Sequence, residues 1–165
     1  MTRLKRVPQE KRVFVDESGI NTFLHREKGR APRGEQVQDT IPGKKFERMN
    51  VIGALCNGEY HGVMCYRHTT SSGFFEGWFA NVLLKAIPHG KGYTVILDNA
   101  AFHSKERLRA LARGKVRLLF LPPYSPDYNP IEKSWANMKR FLRGGMKHFQ
   151  SVKDAVYGYF GVKAS

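Results

Sequence analysis

The 165-residue sequence is poor in cysteine, in acidic residues and in long apolar segments. Its two cysteines, Cys56 and Cys65, provide no disulfide framework and no paired CxxC zinc motif, so we expect both to be reduced, half-buried thiols. The longest uncharged run, residues 49–58, is far shorter than the roughly 20 residues that cross a bilayer. The N-terminal segment has no apolar stretch of the kind found in a secretory signal. We therefore expect a cytoplasmic protein without membrane contact.

Basic residues are abundant instead. The 28 lysines and arginines outnumber the 14 aspartates and glutamates, which gives a net charge of +14 and an isoelectric point near 10.0. Because 41% of the residues are hydrophobic, the chain can build a core, and its length suits a single domain. A folded protein of this charge is expected to bind a polyanion, most commonly nucleic acid. Charge alone does not separate an enzyme from a passive binding protein.

The apolar pattern predicts alternating strands and helices after a basic lead-in over residues 1–12. The first strand covers residues 13–16. Two further strands, 49–56 and 60–66, form a hairpin around Asn57 and Gly58, since both turn residues tolerate positive φ. After the hairpin, a helix is predicted with an apolar face formed by Phe75, Phe79, Val82 and Ala86, and a strand follows over 93–97. The next two elements are a helix from Ser104 to Gly114 and a strand over 116–121. A helix capped by Asn129, with Pro130 at its first position, and a last helix that begins at Ser151 complete the order.

This order predicts an α/β domain over residues 13–165, with a mixed five-stranded sheet flanked by helices. The first three strands form an antiparallel meander, and the last two return through helices and are therefore parallel, by right-handed crossovers. If the fourth strand lies beside the first, the connections leave those strands in opposite directions. Open α/β sheets bind ligands at such a switch point.

Three acidic residues are candidates for that position. Asp16 ends the first strand, Asp98 directly follows the fourth, and Glu132 lies in the first turn of the helix after the fifth. Carboxylates brought together repel each other unless a cation lies between them, and oxygen ligands favour Mg²⁺ or Mn²⁺. Each residue also has a structural alternative. Asp16 could be a turn residue beside a solvated Glu17, Asp98 could start an Asx-turn, and Glu132 could belong to a capping box with Asn129.

Three segments that contain these acids resemble known catalytic blocks: FVDESG at 14–19, ILDNAAFH at 96–103 and LPPYSPDYNPIEKSW at 121–135. They are similar to the blocks of the DDE transposases, and more narrowly to the IS630 branch of the IS630/Tc1/mariner superfamily. The interval from Asp98 to Glu132 is similar to the spacing in that family. The third block is the most specific of the three.

The resemblance implies an RNase H-like fold with Asp16, Asp98 and Glu132 as catalytic, metal-binding triad. It implies Mg²⁺, with Mn²⁺ as a substitute and two ions per site, DNA cleavage at transposon ends, and strand transfer into target DNA at a TA dinucleotide. It also implies a bacterial protein that acts on nucleoid DNA as a homodimer or larger assembly. Family members normally carry helix-turn-helix modules before the catalytic domain, and here only a basic segment of about a dozen residues precedes the first strand. A separate helix-turn-helix product is therefore a candidate partner.

Further residues are candidates for supporting roles. Lys139 and Arg143 follow Glu132 along nearly the same helix face and could contact the DNA backbone, or form a solvated face. Arg30 and Arg33, in the loop after the first strand, have the same two interpretations. We expect Asn99 to orient a metal ligand and His103 to hydrogen-bond its loop, and we expect Trp135 to lie in the core.

Two alternative functions remain open from the sequence. The first is another RNase H-fold nuclease or integrase, which would share the triad without needing the third block. The second is a catalytically silent transposase remnant that binds DNA by charge alone.

Overall fold

The computed structural model describes residues 2–21, 48–87, 92–100, 104–122 and 129–161. Arg30, Arg33 and His103 lie outside these residues. The strands of the described part are β1 (Arg12–Asn21), β2 (Arg48–Cys56), β3 (Glu59–Tyr66), β4 (Thr94–Leu97) and β5 (Arg117–Phe120). The helices are α1 (Thr2–Lys5), α2 (Ser72–Trp78), α3 (Leu84–Ala86), α4 (Lys105–Ala112), α5 (Ile131–Gly145) and α6 (Val152–Phe160), with a π-helical segment at Phe79–Leu83 and 3₁₀ turns at Gln9–Lys11 and Met146–His148.

The sheet has the predicted mixed topology, with the strand order β3-β2-β1-β4-β5. β1 pairs antiparallel with β2 on one side and parallel with β4 on the other, and β5 is parallel to β4. The prediction that the fourth strand lies beside the first is therefore confirmed. The central position of β1 brings the ends of β1 and β4 together at the predicted switch point.

The hairpin between β2 and β3 forms as predicted. Asn57 and Gly58 have φ values of 49° and 83°, which is the left-handed region that an Asn-Gly hairpin turn requires. Further along the hairpin, the register shifts between Ile52 and Ala54. Gly53 is then the single residue of β2 that faces two residues of β3, which is a β-bulge.

Helices cover both faces of the sheet because the strand residues alternate between two apolar clusters. On one face, Val13 and Val15 of β1 pack with α2, the π-helical segment and α4. On the other face, Ile20 and the half-buried Phe14 pack with α5 and α6. Fully burying one aliphatic side chain contributes about 2 kcal/mol, so the second cluster, which includes Ile131, Met138 and Leu142, anchors α5 against β1.

Several details differ from the sequence predictions. β1 continues to Asn21 instead of ending at Asp16, because β2 pairs with it along its whole length. The predicted helix face of Phe75, Phe79, Val82 and Ala86 is wrong at its end, since Ala86 is exposed. A π turn, in which the amide of Leu84 donates to the carbonyl of Phe79, rotates the helix and buries the side chains of Leu83, Leu84 and Ile87 instead.

The caps of the later helices also differ in part. Asn129 does not cap α5 through its side chain; Pro130 occupies that position, and the buried Asn129 amide lies 3.5 Å from the carbonyl oxygen of Val15. A tertiary contact has replaced the local cap. Ser104 precedes α4 without a side-chain cap bond, whereas Gly114 has the predicted positive φ, at 76°.

The cysteines and the N-terminal basic segment complete the description of the fold. Both cysteines are free; Cys56 is buried and Cys65 is half-buried. The basic lead-in is partly helical, and the ammonium of Lys11 lies 4.3 Å from the ring centre of Tyr93. No helix in the described ranges combines the length and the apolar character needed to span a bilayer.

Candidate active site

Asp16 lies in the middle of β1, on the face covered by α5. Its neighbours Val13 and Val15 point to the opposite cluster, so the alternation of the strand directs Asp16 towards α5. There the indole Nε1 of Trp135 donates a hydrogen bond of 3.0 Å to Asp16 Oδ2. Asp16 is thus a half-buried carboxylate inside a strand, and the alternative of a strand-end turn residue does not apply.

Glu132 lies at the exposed beginning of α5, one turn before Trp135. It shares a groove of about 440 Å³ with Asp16. Among the residues that the structure describes, β1 and α5 supply the lining of this groove: Asp16, Glu17, Ser18, Glu132, Trp135, Ala136, Lys139, Arg140 and Arg143. The groove therefore combines acidic side chains from two elements with cationic side chains from α5.

Asp98 directly follows β4, the parallel neighbour of β1. The amide of Ala100 donates to Asp98 Oδ1 at 3.3 Å, so the residue does form the Asx-turn that the sequence allowed. It is also close enough to the groove to act on Asp16 electrostatically. The turn and the role in the site are compatible, because the turn holds the exposed carboxylate at the end of the strand.

The pKa of Asp16 is raised to about 6. Burial is the largest cause, and the negative charges of Asp98 and Glu132 raise the pKa further, whereas hydrogen bonds from the Glu17 backbone and from Trp135 lower it. Asp98 and Glu132 therefore each lie within electrostatic reach of Asp16. A bound cation would relieve the repulsion that these two charges exert on Asp16.

Glu17 is a fourth acidic residue of the groove. Burial, followed by the charges of Asp16 and Asp98, raises its pKa to about 8. Its Oε1 atom is buried and has no hydrogen-bond partner within the described part of the chain. The alternative in which Glu17 is a solvated neighbour of Asp16 is therefore wrong, because Glu17 is half-buried.

These residues suit a hard divalent cation. The donors are carboxylate oxygens, and the charges of Asp98 and Glu132 add to the effect of burial in raising the pKa of Asp16. Within the described ranges, no three His, Cys, Asp or Glu side chains are grouped closely enough to hold a metal ion between them. The structure thus brings Asp16 and Glu132 to one groove and Asp98 to its vicinity, without a closed three-carboxylate cage.

Some of the candidate supporting residues line the groove and others do not. Lys139 and Arg143 line the groove with Glu132, as their helical spacing predicted. Asn99 is exposed beside Asp98. Arg140 also lines the groove and was not singled out from the sequence, although its position next to Lys139 on the same helix was a usable signal.

Trp135 has a second role that the sequence did not show. It is a core residue, as predicted, and only 4% of it is exposed. The apolar stripe of α5 indicates this burial, but no local pattern indicates that its N–H group contacts Asp16, 119 residues away in sequence.

The fold and the groove define an RNase H-like α/β domain with an acidic site bordered by cations. The chain belongs to the DDE superfamily endonucleases, because the family model of that description matches residues 11–155.

Structures of the Mos1 mariner transposase are similar over nearly the whole chain. A Mos1 paired-end complex with the left transposon end matches 97% of this chain and 54% of that chain, with a TM-score of 0.65 and 17% identity. A Mos1 mariner paired-end complex with Mn matches 99% and 52%, with a TM-score of 0.65 and 20% identity. A simian T-cell lymphotropic virus intasome matches 94% and 49%, with a TM-score of 0.59 and 11% identity.

At these identities the structural likeness shows the fold, and it confirms the predicted RNase H-like sheet. The family match confirms the resemblance of the sequence to the DDE superfamily, and the fold is the one found in the Mos1 mariner transposase structures. The chain spans about half the length of the Mos1 chains that it matches. A curated relative, the uncharacterized protein y4pE/y4sA of Sinorhizobium fredii (strain NBRC 101917 / NGR234), is 34% identical over 55 residues, which are 33% of this chain and 39% of that protein.

Proposed function

We propose that this chain is the catalytic domain of a DNA transposase, which cleaves DNA at transposon ends and transfers the strand into target DNA. The observation that carries the proposal is a groove that Asp16 and Glu132 line together with Lys139, Arg140 and Arg143, with Asp98 close enough to act on Asp16 electrostatically. Carboxylates suit the divalent cations that phosphodiester chemistry uses, and the cations of α5 suit a phosphate chain.

In this proposal the three carboxylates are the metal ligands. Asp16 and Asp98 would hold one Mg²⁺, and Glu132 would contribute to a second site, with Mn²⁺ as a substitute. Bound ions would supply Lewis acidity that lowers the pKa of a water or a 3′-hydroxyl and stabilises the leaving oxygen.

The cationic side chains of the groove bind and orient the DNA. Lys139 is half-buried next to the acids, and Arg140 and Arg143 continue along the exposed side of α5. Phosphates bound along this line would pass Glu132 at the beginning of the helix. Asn99, beside Asp98, would hydrogen-bond a metal ligand, and Arg30, Arg33 and His103 remain candidates from the sequence alone.

The proposed oligomeric state is based on the DNA complexes of the Mos1 structures. The Mos1 structures are paired-end and strand-transfer complexes. By analogy we propose that this chain acts on nucleoid DNA as a dimer or larger assembly, with recognition of the transposon ends supplied by helix-turn-helix modules of a longer or separate polypeptide.

Nicking of supercoiled plasmid in the presence of Mn²⁺ tests the proposal. We expect the wild-type chain to nick the plasmid and Glu132→Gln to lose nicking by at least about a hundredfold, since the substitution removes a ligand charge and preserves its shape. Glu106→Gln is the matched control. Glu106 is also an exposed glutamate in the first turn of a helix, but it lies in α4 and does not line the groove.

Each result has a distinct meaning. Equal nicking by wild type and Glu132→Gln would contradict the assignment of the triad. DNA binding without nicking, unaffected by Asp98→Ala, would identify a silent DNA-binding remnant. Nicking without joining of a 3′-hydroxyl oligonucleotide end to target DNA would favour another RNase H-fold nuclease.

A further inference from the structure

The hydrogen bond between Trp135 and Asp16 links the central strand to the helix that carries Glu132. Nε1 of Trp135 lies 3.0 Å from Asp16 Oδ2, and the indole is 4% exposed. Since Trp135 follows Glu132 by three residues, the two project from α5 at neighbouring angles. One helix therefore supplies both an acidic residue of the site and a fixed contact to another.

The indole ring is held on its other sides. The ring of Phe160 from α6 meets it edge to face, with a centroid distance of 5.7 Å and an angle of 82°. On the sheet side it lies against Gly53, the residue of β2 that pairs directly with Asp16. A Cβ atom at Gly53 would lie 3.4 Å from Trp135 Cη2 and 3.2 Å from Val63 Cγ2. The missing side chain at Gly53 thus gives the indole room beside Asp16.

The chemistry of the indole suits this position. An indole N–H donates one hydrogen bond, carries no charge and has no acceptor atom. It can therefore fix a carboxylate oxygen without neutralising the carboxylate, as an arginine or lysine in its place would, and without competing as a ligand. A half-buried carboxylate held in this way keeps its charge for a cation.

We infer that Trp135 is a positioning residue, which holds the Asp16 carboxylate in the orientation that binds a divalent cation, and that Gly53 makes this contact possible. The inference rests on the proposed function, because it assumes that Asp16 is a metal ligand. It assigns to Trp135 and Gly53 a role in orienting the Asp16 carboxylate, and neither residue binds the cation itself.

Binding of Mn²⁺, measured by the electron paramagnetic resonance signal of the free ion, tests this without turnover. We expect Trp135→Phe, which keeps an aromatic ring and removes the N–H group, to weaken Mn²⁺ binding by on the order of tenfold. Trp78→Phe is the matched control and is expected to leave binding unchanged. Trp78 is also buried, and its Nε1 donates at 2.8 Å to the carbonyl oxygen of Gly62, on a strand that does not neighbour β1.

A second pair of variants keeps the N–H group and moves it. Gly53→Ala places a methyl group against the indole and is expected to weaken Mn²⁺ binding as well. Gly19→Ala is its control in β1, where the new Cβ would meet only Asn50 Oδ1, at an ordinary distance of 3.7 Å. Thermal melting of all variants shows that the compared proteins are folded, and the glycine pair decides the question if Trp135→Phe does not fold.

Nicking activity adds a signature that loss of packing alone does not produce. If Trp135 orients a metal ligand, nicking by Trp135→Phe recovers as the Mn²⁺ concentration is raised. Wild-type Mn²⁺ affinity in both Trp135→Phe and Gly53→Ala would overturn the inference and leave the proposed function standing. Absence of Mn²⁺ binding by the wild type, or wild-type binding by Asp16→Asn, would overturn both.

Discussion

Burial changes the chemistry of single side chains in this protein, and Cys65 shows it outside the groove. Burial raises the pKa of its thiol from an ordinary value of 9.0 to about 11. At pH 8 the native thiol therefore contains about a hundredfold less thiolate, the form that reacts with alkylating agents. We expect iodoacetamide to label Cys65 correspondingly more slowly in the native protein than in urea, as measured by peptide mass spectrometry.

The same shift predicts the direction of a pH effect on stability. The unfolded thiol loses its proton at a lower pH than the native one, so the free energy of unfolding decreases as the pH rises from about 9 to about 11. A native labelling rate equal to the rate in urea would show that the thiol is accessible and would contradict the prediction.

At the residue scale, the sequence predicts which residues carry acidic groups to the groove better than it predicts which distant residues they contact. The acids of the groove could be identified because each lies at a strand or at a helix start that the apolar pattern indicates. The contact of Trp135 with Asp16 could not, because helical spacing shows which side of a residue is buried and not which distant atom its N–H group meets. Asn129 is the same case: its local cap pattern is valid, but the carbonyl of Val15 is also within its reach.

Helix starts provide a prediction at the scale of elements. Ser151 caps α6 fully: its Oγ accepts from the amide of Asp154 at 3.1 Å and donates to Asp154 Oδ2 at 2.7 Å. Ser104 precedes α4 without a side-chain cap bond. We expect Ser151→Ala to lower the free energy of unfolding by about 1 kcal/mol and Ser104→Ala to lower it much less. Urea unfolding of the two variants measures the difference, and equal losses would contradict the observed capping.

Helices, strands and turns were predictable where a local sequence signal fixes the backbone conformation. The Asn57-Gly58 turn is such a case, because its positive φ values select those two residues. The π turn in the helix after α2 was not predictable, since one extra residue in a turn leaves the sequence helical and only rotates the buried face. The length of β1 was also missed, because its extension to Asn21 depends on pairing with β2 and not on its own apolar content.

At the scale of the whole molecule, the net charge of +14 predicts salt-sensitive binding to DNA. Each lysine that neutralises a phosphate contributes about 0.9 to the slope of log affinity against log salt concentration. We expect Lys139→Ala to reduce this slope by about that amount, because Lys139 lines the groove. Lys85→Ala, an exposed lysine of α3, is the control and should leave the slope unchanged. Fluorescence anisotropy with a labelled duplex measures both, and equal slopes for Lys139→Ala and the wild type would place the DNA elsewhere.

The topology as a whole was predictable from the order of elements. A hairpin followed by two helix-connected strands leaves few arrangements. In the observed order β3-β2-β1-β4-β5, the first crossover places β4 beside β1 and the second places β5 beside β4, and both pairs are parallel. The depth of the groove was not predictable, because it depends on how closely α5 packs against β1, which side chains from two distant parts of the chain determine together.

The central position of β1 has a consequence for synthesis of the protein on the ribosome. Asp16 is translated before β4, the strand that pairs with β1 in parallel, and before α5, the helix that supplies both Glu132 and the indole. A nascent polypeptide therefore contains an acidic strand without its site until α5 has been translated. Under the proposed function, prematurely terminated products could not cut the genome of the cell that makes them.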